Sequence, residues 1–264
     1  MNSMNRMKLI MIMFLVFFAV TINTAHSGQF GAPEPVAKEG KFSLGVGYFY
    51  FSDKWTPQDT GWIEAKPVAN QPYVQVSYGF MKNAEAYLRL GASDLKVSSA
   101  FPSGTGLSGF KSEFSDGFKP FATVGVKGVF NITSSLGVGP FAQAGLYSDS
   151  YSDSTSGAIF GFPATMEMKI KNPSHFDLGM AIQNKIRGIT LYAGPFVHWS
   201  KADVEGKIII PGVGTAADST TYKEKNNFGG FAGARVPLGK KFNLEVEGQM
   251  RNEFSLGSSL TYLY

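Results

Sequence analysis

Ten separate stretches of this chain place bulky apolar residues at every second position, and that period excludes most ways of folding. In FSLGVGYFYF, Phe42, Leu44, Val46, Tyr48 and Tyr50 share one face, while Ser43, Gly45, Gly47, Phe49 and Phe51 share the other. Successive side chains of a β-strand point to opposite faces, so each stretch reads as a strand with one apolar side. The alternation recurs in YVQVSYGF, AYLRLGAS, ATVGVKGVF, GVGPFAQAGLY, HFDLGMAIQ, ITLYAGPFVHW, NFGGFAGARV, FNLEVEGQM and the closing SLGSSLTYLY. Segments of about ten residues with this dyad repeat are the signature of transmembrane β-barrel strands.

The last stretch makes the point sharply. Leu260, Tyr262 and Tyr264 would form a sticky edge in water, which soluble proteins blunt with charge or proline. In lipid every backbone group must be paired, so strands survive there only in a closed barrel, whose outer face then meets lipid.

The N-terminus supplies an export address. MNSMNRMK carries Arg6 and Lys8, LIMIMFLVFFAV is an unbroken apolar run, and TINTAHS ends on Ala25 and Ser27 in small-residue positions. That order predicts a secretory signal peptide over residues 1–27; the apolar run falls short of the ~20 residues that span a bilayer. Residues 28–40, GQFGAPEPVAKEG, are expected as a periplasmic N-terminal segment, and residues 41–264 as the barrel domain. The chain has no Cys, so nothing here resembles an exported fold stapled by disulfides. The net charge of +4 includes Arg6 and Lys8, and the remaining balance is too weak to argue for nucleic acid.

Short and long connections alternate. KNAE, NITSS, NKIRG and PLGK are short; the long ones cover 52–70, 94–117, 148–173 and 200–226, with a brief turn near Asn252 and Glu253. Outer-membrane barrels put short turns in the periplasm and long loops outside. The expected fold is all-β, a single antiparallel up-and-down transmembrane barrel of ten strands, with eight or twelve as alternatives.

The chain resembles the small outer-membrane β-barrels of Gram-negative bacteria across residues 41–264. Its end, Gly257, Leu260, Tyr262 and Tyr264, is similar to the C-terminal signal that the barrel-assembly machinery recognises, with Tyr in place of the more usual final Phe. The resemblance implies an integral outer-membrane protein, a monomer in contact with outer-membrane lipid and lipopolysaccharide, inserted by that machinery. It implies no cofactor and no metal.

The inward face carries Tyr73, Tyr87, Phe121, Phe141, Tyr147, Tyr192, Phe196 and Phe231, interleaved with Gly45, Gly79, Gly91, Gly125, Gly145, Gly179, Gly194 and Gly233. Inward rings are expected to lie over glycines of neighbouring strands and fill the interior. Arg89, Lys127, Arg235, Glu245 and Glu247 also point in, with Arg235 diagonal to Glu245; such charges must be paired or hydrated. About eight strands give a filled barrel and about sixteen an aqueous channel, so ten strands predict a plugged or narrow lumen.

Outside the leader, which holds His26, the histidines are His175 and His198. His175 and Asp177 open the sixth strand, His198 and Ser200 close the seventh, and all four have inward parity. Folding at NKIRG pairs residues whose numbers sum to about 371–373, which sets His175 opposite or diagonal to His198. Ser, His and Asp within reach could support nucleophilic catalysis, and two histidines could bind a metal; the preferred expectation is simply a wet, polar rim. The H-x-S spacing of His198 and Ser200 is similar to lipid A deacylase barrels, where the pair faces lipid. The omptin proteases are ten-stranded and set paired acids across the mouth from an Asp–His couple, a role to which Asp149 and Asp153 stand nearest.

Two loops contain apolar runs, AIFGFPATM and KIIIPGVG; Met166, Met168 and Ile170 keep the outward parity of strand six, so that strand is expected to extend past the membrane. The functional expectation is a structural barrel or a narrow, porin-like channel for small solutes. A surface lipid or peptide hydrolase at the mouth is the alternative, and a surface adhesin or receptor a further one.

Overall fold

The computed structural model describes residues 29–59, 62–101, 104–148 and 150–264. The expected signal peptide, Gly28 and Asp149 lie outside the described residues. Ten antiparallel strands form the barrel: β1 (Phe42–Ser52), β2 (Lys66–Met81), β3 (Ala84–Ser98), β4 (Phe114–Gly128), β5 (Leu136–Tyr147), β6 (Phe162–Ile186), β7 (Ile189–Ile210), β8 (Phe228–Leu238), β9 (Phe242–Met250) and β10 (Phe254–Leu263). Each pairs with the next, and β1 pairs with β10 from Ser43↔Leu263 to Tyr50↔Leu256, so the sheet closes on itself. No barrel strand keeps a free edge across the lipid-facing belt, as the bilayer demands.

The faces fall as the alternation predicts. Val46, Val74, Leu90, Val124, Leu178 and Leu191 are exposed on the outer surface. Phe176 of β6 and Trp199 of β7 stack there at 5.6 Å near the outer limit of this apolar belt. Aromatic residues at the level of the head groups mark such a limit.

The loops differ from the expected ones. The strand Tyr151–Ile159 pairs with the first half of β6, and the strand Gly214–Glu224 pairs with the second half of β7, so most of 148–173 and 200–226 is sheet standing clear of the belt. Phe160 and Gly161 turn the first of these hairpins with φ of 48° and 84°; positive φ at both central residues suits the right-handed strand twist. β6 thus extends past the membrane, yet Met166 and Ile170 are buried inside it instead of facing out. The reason is a bulge: the β6–β7 register shifts between Lys171 and Ser174, and one extra residue exchanges the two faces of a strand.

These inward residues build an apolar core above the belt, in which Phe114, Tyr151, Met166, Ile170, Ala202 and Val204 are buried together. At belt level, aromatic rings fill the wall as expected. A Cβ at Gly125 would lie 2.2 Å from Tyr87 Cζ, and one at Gly179 would lie 2.5 Å from Phe141 Cζ. Both rings sit on their direct cross-strand partners, because only glycine leaves room for a ring laid flat on the sheet.

The segment expected in the periplasm lies inside the barrel. Gln29, Phe30 and Ala32 are fully buried, and Phe30 packs on Phe141, Phe196 and Phe231 at 4.2, 4.9 and 5.0 Å. Its route is fixed by Gly79, where a Cβ would come within 2.4 Å of Lys38 O, so the segment passes directly over β2. The physical reason is pairing: an unpaired stretch of backbone inside a barrel must find donors and acceptors on the wall, and the inward charges provide them.

Candidate functional site

The lumen charges hold this N-terminal plug. Glu247 Oε1 and Oε2 accept the backbone N–H groups of Phe30 and Gly31 at 2.9 and 2.8 Å, and Glu245 Oε1 accepts that of Ala32 at 3.0 Å. Glu85, which the sequence reading passed over although it shares the inward parity, accepts those of Val36 and Ala37 through Oε2 at 2.7 and 2.9 Å. Gln183 Oε1 accepts that of Glu34 at 3.0 Å. Plug carbonyls take the cations: Arg235 donates to Glu34 O at 2.9 Å, Lys127 to Phe30 O at 3.4 Å, and Arg89 to Gln29 O.

The same cations offset the carboxylates. Arg235 Nε donates to Glu245 Oε1 at 2.9 Å, and the two residues are direct cross-strand partners instead of diagonal ones. Lys127 Nζ stands 3.4 Å from Glu85 Oε1. Arg89 lies over the rings of Tyr73 and Tyr87 at 5.0 and 4.7 Å and donates to Gln75 Oε1 at 2.6 Å. Charges buried this deeply persist because each has a charged or hydrogen-bonded partner.

The mouth cluster forms one turn of pairing away from the expected register. β6 and β7 meet through a tight Arg187–Gly188 turn, with φ of 51° and 85°, so His175 pairs with Ser200 and Asp177 with His198. His175 is therefore diagonal to His198, and their rings stack 5.9 Å apart at 17°. His198 Nδ1 and Asp177 Oδ1 are 2.6 Å apart; a carboxylate has no proton to give, so the ring nitrogen donates. Gln143 Nε2 donates to Asp177 Oδ2 at 2.9 Å, and His175 Nε2 stands 3.8 Å from that oxygen.

Ser200 joins the cluster by position and not by bonding. Its N–H and hydroxyl both donate to Glu224 Oε2, at 2.6 and 3.2 Å, and Asn227 Nδ2 holds Glu224 Oε1 at 2.6 Å. Asp153 is taken up elsewhere, by Lys111 Nζ at 2.6 Å and Ser115 N at 2.7 Å. Among the described residues no group of three or more metal-ligating side chains converges. Gln143 was missed by sequence reasoning: its inward parity was readable, but a glutamine carries no signal that it bridges Asp177 to Tyr87 and Arg89.

Two cavities lie above the plug. The lower, about 50 Å³, is bordered by His175, His198, Ser200, Gln71, Tyr147 and Trp55. The upper, about 380 Å³, opens outward past the belt between Trp55, Trp62, Phe101, Met166, Ile170 and Tyr222. Burial pushes the Tyr222 phenol up to about 12, so it stays neutral and donates to Ile63 O at 2.9 Å. Burial likewise raises Tyr151, whose hydroxyl donates to Ser93 O at 2.8 Å. Neither tyrosine was singled out from sequence as part of a mouth, because the strands carrying them were read as loops.

No protein-family model and no curated protein matches the chain. Among solved structures, the chain is similar to the translocator domain of the autotransporter NalP from Neisseria meningitidis, at 13% identity and a TM-score of 0.47, covering 96% of this chain and 95% of that one. It is similar to the outer membrane protease OmpT from Escherichia coli, at 10% identity and 0.49, covering 88% and 96%. It is also similar to the toluene transporter TbuX of Ralstonia pickettii, at 8% identity and 0.40, covering 84% and 88%. A closed ten-stranded antiparallel sheet with an apolar outer belt is the architecture of the small Gram-negative outer-membrane β-barrels, and the chain has it.

Proposed function

We propose that the protein is a gated passage for small solutes in the outer membrane, closed at rest by its own N-terminal segment. One observation carries this reading: inward carboxylates Glu247, Glu245 and Glu85 grip the backbone of residues 30–37 inside the lumen. A wholly structural barrel could fill its interior with side chains alone, as barrels of about eight strands do. Here a main-chain segment occupies the space, held by hydrogen bonds that can be exchanged for water. The chain works as a monomer, seated in lipid and lipopolysaccharide by the barrel-assembly machinery.

Planar-bilayer recording tests the reading. The intact barrel should stay closed or conduct rarely, whereas a variant lacking residues 29–36, still heat-modifiable and hence folded, should give discrete, frequent openings. A folded deletion variant as silent as the parent would leave the structural reading in its place.

The Asp177–His198 pair favours a second reading, a hydrolase at the mouth. Against it, the Ser200 hydroxyl donates to Glu224 and not to an imidazole, so the Asp177–His198 pair does not activate it. Turnover of lipid or peptide substrates that disappears in His198→Ala would restore this reading.

A further inference from the structure

We propose that the outer mouth is a binding site for a small, uncharged, apolar molecule. The upper cavity, about 380 Å³, has the size of a small-molecule site, for which about 300–1,000 Å³ is usual. It lies beyond the Phe176–Trp199 stack, so it takes its occupant from the aqueous side and not from the bilayer. Its walls are aromatic and aliphatic, and its floor is the buried core of Ile170, Val204 and Tyr222.

Charge selects against ions. Glu64 at the rim is paired with Lys225 at 2.6 Å, and Glu167 with Lys207 at 3.5 Å. Asp218 accepts the indole N–H of Trp62 at 3.1 Å. Among the described residues lining the cavity, the cation Lys207 is already paired with Glu167, and a charge without a partner does not leave water for an apolar cavity.

Trp55 is 7% exposed and borders both cavities; its Nε1–H, without a hydrogen-bond partner among the described residues, is itself buried, so the ring and not the N–H meets the occupant. The Tyr222 hydroxyl is on Ile63 O and the Trp62 indole on Asp218. Trp55 also separates the mouth from the lower chamber, so the site gives a substrate class to the passage proposed above and rests on that reading only for onward movement.

Calorimetric titration of the full barrel in lipid nanodiscs, with empty discs subtracted, tests binding apart from conductance. The probe is 1-methoxynaphthalene, uncharged with a single ether acceptor; naphthalene-1-sulfonate is its anionic counterpart. One saturable site per barrel is expected, with the sulfonate bound at least about tenfold more weakly. Ala100→Trp fills the cavity and should weaken the ether about tenfold; Ala217→Phe is the second filling variant, should the first fail to give a heat-modifiable barrel. No saturable heat above empty discs, equal affinity for the sulfonate, or unchanged affinity in a folded filling variant would each overturn the proposal. Failure here with openings still produced by the plug deletion would sink the binding site and spare the gate.

Discussion

The carboxylate of Glu247 grips the backbone of Phe30: one oxygen accepts its N–H at 2.9 Å and the other accepts that of Gly31 at 2.8 Å. The two partners are separated by 217 positions in the chain, and the contact turns the N-terminal segment into a plug. Hydrogen bonds to a charged group are worth about 1.5–3 kcal/mol each. Glu247→Ala removes two of them and should loosen the plug by about 3 kcal/mol. Amide exchange over residues 29–37 should quicken while the barrel strands stay protected. Unchanged exchange at Phe30 and Gly31 would count against the grip.

The mouth pair should prove structural in cost whatever its chemistry. His198 is buried and is bonded at 2.6 Å to Asp177, which is fully buried. His198→Ala strips that carboxylate of its closest donor and should cost about 3 kcal/mol in urea unfolding. His175, 3.8 Å from the same carboxylate, should cost less when replaced by Ala. Equal losses would contradict the unequal bonding.

Gly145 sits opposite His175, and a Cβ there would lie 2.1 Å from His175 Cε1. Gly145→Ala should therefore displace the imidazole and destabilise the barrel by about 1–3 kcal/mol. The double variant with His175→Ala should recover most of that loss, because neighbours that clash are strongly non-additive. An additive result would show that the ring does not occupy the space over Gly145.

On β1 the two faces should fail for different reasons. Val46 is 53% exposed on the outer face, and Val46→Arg should cost ~2–4 kcal/mol near the midplane of the bilayer. A Cβ on its neighbour Gly47 would lie 2.3 Å from Tyr73 Cζ. Gly47→Ala should be rescued by Tyr73→Ala, and Val46→Arg should not. Refolding into lipid vesicles of fixed thickness separates the two.

The C-terminal residues close the sheet, since Tyr262 pairs with both Leu44 and Phe242. Deleting Tyr262 to Tyr264 should leave export intact, block insertion and send the chain to periplasmic degradation. Normal heat-modifiable barrel in the outer membrane would rule out a role for that end in assembly.

Within the lipid-facing belt, alternation alone settled which residues face out and which face in, because the two faces of a strand meet different solvents at a fixed period of two. Val46 and Gly47, Leu178 and Gly179 stand where that period puts them. The apolar belt, the strand number and the ring-on-glycine packing follow from it. The same rule misplaced Met166 and Ile170, since one bulge between Lys171 and Ser174 reverses parity and leaves no mark in composition. The plug was invisible for a different reason. GQFGAPEPVAKEG has no periodicity, and its partners Glu247, Gln183 and Glu85 lie on distant strands that only barrel closure brings around it. His175 and His198 were readable as neighbours from one hairpin. That Asp177 bonds His198, Ser200 turns to Glu224 and Trp55 borders the mouth cavity was decided by tertiary contacts among side chains far apart in sequence.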